Sequence, residues 1–363
     1  MPTVNALVTE FNTLALQAQA QGINVKLRNS NYKTIAHGQK RLAWLRAQLA
    51  GTSALPALDM ALTSQTFGVE FECYLPRGMT RSEFARRMTE AGVPAYEAAY
   101  RSANTEQWKV KTDGSLRDYT RGMEVVSPSV NPLRGEAGLA TMRKVSDLLT
   151  EVGCTVNKRC GFHVHVGARA ENVNFFRQLA KLYKKYEPAI DTLMNADRRG
   201  FAAQYAQPHR INDRALSVAQ TVQDVSAACG QGNYGGRFFK LNLLAFEQHG
   251  TVEFRQHHGT VNTDEATAWV KLCLRMCATA KVASSLEGDA TLSEFFAKVT
   301  APAGEQAFYT ARAASLARRA ERSEQRRASR QARLAAQRAE QARVREQRYQ
   351  EWYNRSRNTN NVE

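Results

Sequence analysis

The sequence predicts an α+β catalytic domain in which helices flank an antiparallel sheet. Four segments after about residue 66 alternate apolar with polar residues, which is typical of half-buried strands: TFGVEFECYL, GMEVVSPSV, CGFHVHVGA and HGTVEFRQHHGT. Segments with helical spacing of apolar residues lie between these strands in an irregular order. A mixture of this kind favours α+β architecture over the regular strand–helix alternation of a parallel sheet.

Three helical segments are predicted from the spacing of apolar residues and from capping residues. RSEFARRMTEAG predicts a helix that ends before Gly92, a residue typical of helix C-termini. NFFRQLAKLYKKYEPAIDTLM predicts a longer helix. NTDEATAWVKLCLRMCATAKVAS predicts another, with Asn262 or Thr263 as its N-cap and two acidic residues after it. A few short helices are predicted in residues 1–51.

The chain divides into four predicted parts. A basic helical region covers residues 1–51, and the catalytic domain covers residues 62–300. Residues 305–353 are rich in Ala, Arg and Gln, which predicts a long helix by propensity. Residues 354–363 are expected to be a disordered end. Inside the domain, residues 197–236 include a Gly-rich stretch and predict a long functional loop with some helix.

The formal net charge of +16 is concentrated at the two ends of the chain. Residues 1–51 and 311–363 carry most of the excess of Lys and Arg, whereas the domain between them is nearly neutral. Three interpretations of the Arg-rich helix stay open. The helix is either solvated and rich in charge, or binds nucleic acid or another polyanion, or oligomerises as a coiled coil.

Composition also sets expectations about the compartment and the cysteines. No run approaches the roughly 18 apolar residues of a membrane-spanning helix, and the N-terminus lacks the pattern of a signal peptide. We therefore expect a cytoplasmic protein without membrane contact. Six cysteines do not make a disulfide scaffold in 363 residues. Cys273 and Cys277 are expected in a buried helix face, and Cys154 and Cys160 would pair only in an oxidising compartment.

Polar side chains recur on one face of several predicted strands. Side chains two residues apart in a strand point to the same face, so each strand presents its polar residues together. These residues are Glu70 and Glu72, Glu124, His163 and His165, and Glu253 and Arg255. A solvated outer face would explain any single pair. If the strands share one sheet, however, like charges would repel, and a metal site is the simplest explanation.

The donor set favours a hard cation. Carboxylate oxygens suit Mg²⁺ or Mn²⁺, which often bridge to phosphates. A zinc hydrolase or a cupin that uses His-x-His is the alternative, although Glu171 lies one residue too far along for the cupin pattern. No Gly-rich phosphate-binding motif is present. A bound nucleotide would therefore be held by metal ions and by Arg255, Arg237 and Arg198 or Arg199.

The ordered motifs GVEFE, DGSL, EVVSP, CGFHVHVG, RFFKLNL and TVEFRQHHGT resemble those of the putative amidoligase family over about residues 62–285. This family groups carboxylate–amine ligases related to glutamine synthetase and glutamate–cysteine ligase. The resemblance implies an antiparallel sheet of the glutamine synthetase-like catalytic type that holds Mg²⁺ ions, ATP and an acidic substrate. GMEVVSP has fewer acidic residues than the corresponding glutamine synthetase motif, which leaves the number of metal ions open.

The resemblance also assigns roles to the residues of these motifs. It implies metal binding by Glu70, Glu72, Glu124, His163 and Glu253, with the substrate amine as an alternative partner of Glu124. It implies catalysis by Glu253, Arg255 and His165, in which Arg255 meets the transferred phosphate and His165 faces phosphate or substrate. It implies substrate binding by Asp113, Ser115 and Asn242.

Together these observations predict an ATP-dependent carboxylate–amine ligase that forms an amide or isopeptide bond through an acyl phosphate. Phosphoryl transfer needs positioning and charge neutralisation. The acyl phosphate must meet an amine before water, which suggests residues 197–236 as a lid. The expected substrates are an acidic amino acid, peptide or protein carboxylate and an amine. The alternatives are a metalloenzyme that works without ATP and an inactive ligase-like core with a polyanion-binding tail.

Overall fold

The structure is a computed structural model that describes residues 4–20, 35, 38–39, 42, 64–99, 102, 106–202, 204–232, 236–282, 286 and 288–359. Two compact units, Met1–Ala307 and Phe308–Glu363, make up the chain. The sheet and every predicted site residue belong to the first unit. Among the described helices, none combines the length and apolar character that a membrane crossing requires.

Eight strands of the described residues form one sheet. In chain order they are β1 Thr66–Tyr74, β2 Ala95–Glu97, β3 Trp108–Lys111, β4 Gly122–Val126, β5 Leu133–Arg134, β6 Phe162–Gly167, β7 Leu241–Asn242 and β8 Thr251–Phe254. Their order across the sheet is β2-β3-β4-β1-β6-β8-β7, and β5 also pairs with β1. Among the eight described strands, only β2 and β3 are paired in parallel. The four segments predicted as strands are confirmed as β1, β4, β6 and β8, within a mostly antiparallel α+β fold.

Alternation along the strands gives the sheet one apolar and one polar face. Phe71 of β1 and Phe162 of β6 are fully buried, and their ring centroids lie 4.6 Å apart. Val164 and Phe254 lie opposite each other in the pairing of β6 with β8 and continue the same layer. Burying each of these side chains contributes roughly 1.5–3 kcal/mol. The polar residues between them must therefore face the other side.

The described residues also form ten α-helices. They are α1 Val4–Ala20, α2 Arg81–Glu90, α3 Gly135–Glu151, α4 Val173–Asp191, α5 Asp213–Val218, α6 Val222–Ala228, α7 Ala245–His249, α8 Thr263–Val282, α9 Leu292–Lys298 and α10 Ala303–Thr359. Both α3 and α4 pack against α8, which in turn packs against β6. The side chain of Asn262 accepts the Glu265 N–H at 2.9 Å and is therefore the N-cap of α8. Helix α2 ends at Glu90, before Gly92 as predicted.

The predicted N-terminal and C-terminal regions are only partly described. Apart from α1 and a few single residues, residues 1–51 lie outside the described part, and so do the other short helices expected there. Helix α10 contains the Arg-rich segment and continues past residue 353 to Thr359. The division into core and appended regions, and the choice between a solvated, polyanion-binding or oligomerising tail, stay predictions.

All six cysteines are buried and free. Cys273 and Cys277 belong to the buried side of α8, which confirms the prediction for this pair. Cys154 and Cys160 do not form a disulfide.

A buried ionic network joins α4 to the strands β7 and β8. The ammonium group of Lys240, whose side chain is fully buried, lies 2.7 Å from carboxylate oxygens of both Glu187 and Asp191. The side-chain amide of Gln256 donates a further hydrogen bond to Asp191. Because the backbone carbonyl of Lys240 accepts the N–H of Arg255 at 2.8 Å, this network also fixes the backbone that carries Arg255.

His209, beside this network, is expected to make folding pH-dependent. Its Nε2 accepts the Leu241 N–H at 3.3 Å, and its ring stacks on Phe239. Burial and then the charge of Lys240 lower the pKa of His209 to about 3. The unfolded chain, by contrast, binds a proton there below about pH 6.5. The free energy of unfolding therefore decreases as the pH falls from about 6.5 towards the folded-state pKa of about 3.

We expect the free energy of unfolding to decrease by about 1–2 kcal/mol between pH 6.5 and pH 5 through His209. Urea unfolding at the two pH values measures this decrease. The His209→Gln variant, which keeps a hydrogen-bond acceptor but cannot be protonated, should lose this part of the pH dependence. An identical pH dependence in both proteins would contradict the prediction.

Candidate active site

The register of β1 with its neighbours places the predicted metal ligands side by side. Glu72 lies opposite Glu124 of β4, and Glu70 lies opposite His163 of β6. Opposite residues of an antiparallel pair project to the same face, with Cβ atoms about 4.5–5.5 Å apart. Accordingly, His163 Nδ1 lies 3.0 Å from Glu70 Oε2, and its Nε2 lies 3.7 Å from Glu72 Oε1. One imidazole therefore contacts both carboxylates of β1.

Strand β8 supplies the second half of the site. Glu253 lies opposite His165 of β6 and opposite Asn242 of β7. Its Oε2 accepts a hydrogen bond from the Asn242 amide at 2.6 Å, and its Oε1 accepts one from the Arg255 guanidinium. Glu253 Oε1 also lies 3.5 Å from His163 Nδ1. All the residues predicted from the alternating pattern line one cavity.

Two triads of potential metal ligands share His163 within the described part of the chain. Glu70, His163 and Glu253 form one triad, and Glu72, Glu124 and His163 form the other. In each triad the ligand atoms lie within 4.8 Å of one another. Four carboxylates and one shared imidazole form a set dominated by oxygen donors, which suits Mg²⁺ or Mn²⁺.

The electrostatics of the second triad support a cation there. Burial raises the pKa of Glu72. Burial, and then the negative charge of Glu70, raises the pKa of Glu124 well above its ordinary value. Both shifts mean that burial and neighbouring carboxylates penalise the charged forms of Glu72 and Glu124 more than the nearby cations favour them. A divalent cation would offset this penalty, so the residues fit such an ion.

The carboxylates of the first triad are already partly neutralised. Burial favours protonation of Glu70, but hydrogen bonds from His163 and His165 hold its pKa well below the ordinary value. Burial also acts on Glu253, where the positive charge of Arg255 and the two imidazoles lower the pKa. These two carboxylates therefore remain charged and available to a cation.

The polar face opens into a cavity of about 1310 Å³ whose walls carry several basic residues. They are Lys109, Lys111, Arg134, Arg169, Arg237, Arg255 and Lys281. Of this set, only Arg237 and Arg255 were predicted from the sequence. The cavity therefore combines an acidic and imidazole-rich floor with cationic walls, which suits an anionic ligand bound beside metal ions.

Lys111 was not predicted as a site residue, although the alternation of its strand could have indicated it. It lies opposite Glu124 in the pairing of β3 with β4, and its ammonium is 2.8 Å from Glu124 Oε2. Burial lowers the pKa of Lys111, but the charge of Glu124 more than offsets this effect and raises it overall. Lys109 and Lys111 alternate in WKVK just as the acidic residues do in GVEFE, so the same period of two indicates a polar face in β3.

Some of the remaining predicted site residues line the cavity and others do not. Asp113, Asn242 and Arg237 line the cavity. Ser115 does not line it, and its N–H donates to Asp113 Oδ1 at 2.6 Å. Arg198 is buried outside the cavity lining, with its guanidinium bonded to a backbone carbonyl. The structure thus brings Asp113 to the cavity wall, whereas Ser115 and Arg198 are not among the residues that line it.

Gly161 provides the space that His163 needs. The Gly161 N–H donates to Glu72 Oε2 at 2.6 Å, and a Cβ at this position would lie 2.6 Å from His163 Nε2. His163 is buried and contacts Glu70, so it cannot easily move aside. We expect Gly161→Ala to weaken Mn²⁺ binding at least about 10-fold, as measured by titration calorimetry. The control is Gly114→Ala, where an added Cβ meets no atom within 4 Å; equal affinities in the two variants would contradict a ligand role for His163.

Comparison with known proteins adds one match. A family model described as "Putative amidoligase enzyme" matches residues 63–277, which include every strand of the sheet and every residue of the two triads. No curated protein matches the chain. The family match confirms the resemblance that the ordered motifs predicted.

Proposed function

Because the chain belongs to the putative amidoligase family, we propose that it is an ATP-dependent carboxylate–amine ligase that forms an amide or isopeptide bond through an acyl phosphate. One observation carries the proposal. Carboxylates, imidazoles and an arginine from four neighbouring strands form a single row beneath a cavity with basic walls. This combination suits a reaction that brings phosphates, metal ions and a carboxylate together.

The two triads are the proposed metal sites. Glu70, His163 and Glu253 would hold one Mg²⁺ ion, and Glu72, Glu124 and His163 would hold another. The excess of carboxylate oxygens over imidazole nitrogens supports Mg²⁺ or Mn²⁺ against a zinc hydrolase. When bound, these cations would neutralise negative charge on the phosphate oxygens.

Arg255 and His165 are proposed to contact the transferred phosphate. Glu253 and, at 3.4 Å, the carbonyl of Tyr205 hold the Arg255 guanidinium in place. Thr251 Oγ1 lies 3.0 Å from His165 Nδ1 and orients that ring. Burial lowers the pKa of His165, but the negative charges of neighbouring carboxylates raise it overall. A protonated His165 would add a second positive charge beside Arg255, where charge develops during phosphoryl transfer.

The chemistry assigns the rest of the cavity to the two substrates. A substrate carboxylate oxygen would attack the terminal phosphorus of ATP, and ADP would leave. The amine would then attack the acyl carbon, losing a proton as phosphate departs. Lys109 and Lys111 are suited to an acidic substrate, whereas Asp113 is suited to the amine. We assign the lid role to residues 197–236 because this segment supplies the Tyr205 carbonyl to Arg255.

ATP turnover by the purified full-length chain tests the proposal. We expect release of ADP and phosphate that requires Mg²⁺ and increases when an acidic amino acid or peptide is supplied with an amine. Mass spectrometry should then find a product with the mass of acid plus amine minus one water. Intact ATP together with a tightly held transition metal would instead support the ATP-independent metalloenzyme. Absence of nucleotide binding would support the inactive core.

A further inference from the structure

A second cluster of potential metal ligands lies apart from the active site. It consists of His257 and His258, just after β8, and Glu265 in the first turn of α8, and its ligand atoms lie within 4.8 Å of one another. None of the three lines the active-site cavity. We propose that these residues bind a zinc ion that fastens the end of β8 to the start of α8.

The two imidazoles lie side by side, with His257 packed against residues of the apolar layer. Their rings stack with centroids 4.3 Å apart and planes 22° apart. The ring of His257 also packs 5.2 Å from Trp269 of α8 and 5.9 Å from Phe162 of β6. The His257 carbonyl accepts the Phe162 N–H, and the neighbouring Gly259 N–H donates to a backbone carbonyl. These contacts hold the ring of His257, and the ring of His258 would rotate out of the stack so that the nitrogen lone pairs of both rings point at one ion.

The hydrogen bond of His257 selects the ring form that a metal requires. Its Nδ1 lies 2.7 Å from the backbone carbonyl of His258. Since a carbonyl oxygen can only accept, Nδ1 carries a proton, and in the neutral ring Nε2 carries the lone pair that a metal binds. Metal-bound histidines commonly donate their other ring N–H to a carbonyl or carboxylate in this way.

The carboxylate of Glu265 is oriented and spaced for the same ion. Thr260 Oγ1 donates to Glu265 Oε2 at 2.9 Å and fixes this side chain. His258 Nε2 lies 3.7 Å from Glu265 Oε2, beyond direct hydrogen-bonding distance. Two zinc ligands, each about 2.0–2.1 Å from the ion, stand about 3.4 Å apart in tetrahedral geometry. The His258–Glu265 pair is therefore within a few tenths of an ångström of the spacing of two zinc ligands.

The donor set identifies the class of metal. Two imidazoles and one carboxylate are typical zinc ligands, and a water molecule commonly takes the fourth position. The active-site triads, in contrast, each hold two carboxylates and only one imidazole. Glu265 is partly exposed, so an ion can enter from solvent.

Metal analysis of the full-length chain tests the inference. We expect chelator-treated protein to take up one tightly held Zn²⁺ per chain, and Co²⁺ in its place to give the intense visible absorption of a tetrahedral site. Glu265→Gln should abolish this absorption and the zinc-dependent increase in melting temperature. His258→Gln is the second variant, so that a folding defect in one of them does not decide the result.

A matched active-site variant separates the two metal sites. Glu70→Gln should leave the tightly held zinc and the cobalt spectrum unchanged. If Glu70→Gln abolished the spectrum while Glu265→Gln preserved it, zinc would bind only at the active site and the inference would be wrong. Absence of any zinc uptake by the wild-type chain would also overturn it.

Discussion

We expect Glu253→Gln to lower the rate of Mg²⁺-dependent ATP turnover about 10²–10³-fold, because this carboxylate has several roles in the site. Glu253 is one of three potential ligands in a metal triad. It also binds the Arg255 guanidinium and lies 3.5 Å from His163. Glutamine keeps the size of the side chain but removes the charge. The variant should therefore fold and still lack the negative charge that attracts a cation and orients Arg255.

Steady-state ATP hydrolysis and Mn²⁺ titration together measure this effect. We expect both turnover and metal affinity to decrease in Glu253→Gln. Glu247→Gln is the matched control, since Glu247 is exposed on the nearby helix α7 and does not line the cavity. Asn242→Ala removes the amide that donates to Glu253 and the oxygen that accepts the Leu244 N–H at 3.0 Å, and it should lower the turnover about 10–100-fold. Full turnover in Glu253→Gln would contradict the proposed site.

Replacing Lys240 by methionine is expected to destabilise the protein by about 3–5 kcal/mol, because the substitution leaves two buried carboxylates without their cation. The Lys240 side chain is fully buried, and Glu187 and Asp191 are 13% and 19% exposed. Methionine fills a similar volume, so the loss of charge rather than a cavity causes the effect. The variant should also have lower activity in the proposed reaction, because loss of the side-chain contacts would release the Lys240 backbone, whose carbonyl accepts the Arg255 N–H.

Urea unfolding of Lys184→Met provides the comparison for Lys240→Met. Lys184 forms an ion pair with Asp213 at 2.8 Å, close to the 2.7 Å distances of the Lys240 pairs. However, the side chain of Lys184 is 40% exposed and that of Asp213 is 72% exposed. Water already solvates this pair, so we expect its loss to change the free energy of unfolding by less than about 1 kcal/mol. Equal effects of the two substitutions would show that burial does not set the strength of the Lys240 network.

The sequence by itself determined which side chains share a face. The period of two in GVEFE and FHVHVG places Glu70 beside Glu72 and His163 beside His165, because strand geometry fixes this over a few residues. The ordered motifs also predicted the family, which the match over residues 63–277 confirms. Local signals further predicted the end of α2 and the alternative N-caps of α8.

Only the tertiary structure decided which residues meet between strands. The register sets Glu72 against Glu124, and a shift of one residue would turn the side chains of that strand to the other face. No local pattern revealed that Lys240 becomes fully buried, or that Arg198 does not line the cavity. These outcomes depend on contacts between segments far apart in the chain, whose energy is set by packing and desolvation in the folded state rather than by neighbouring residues.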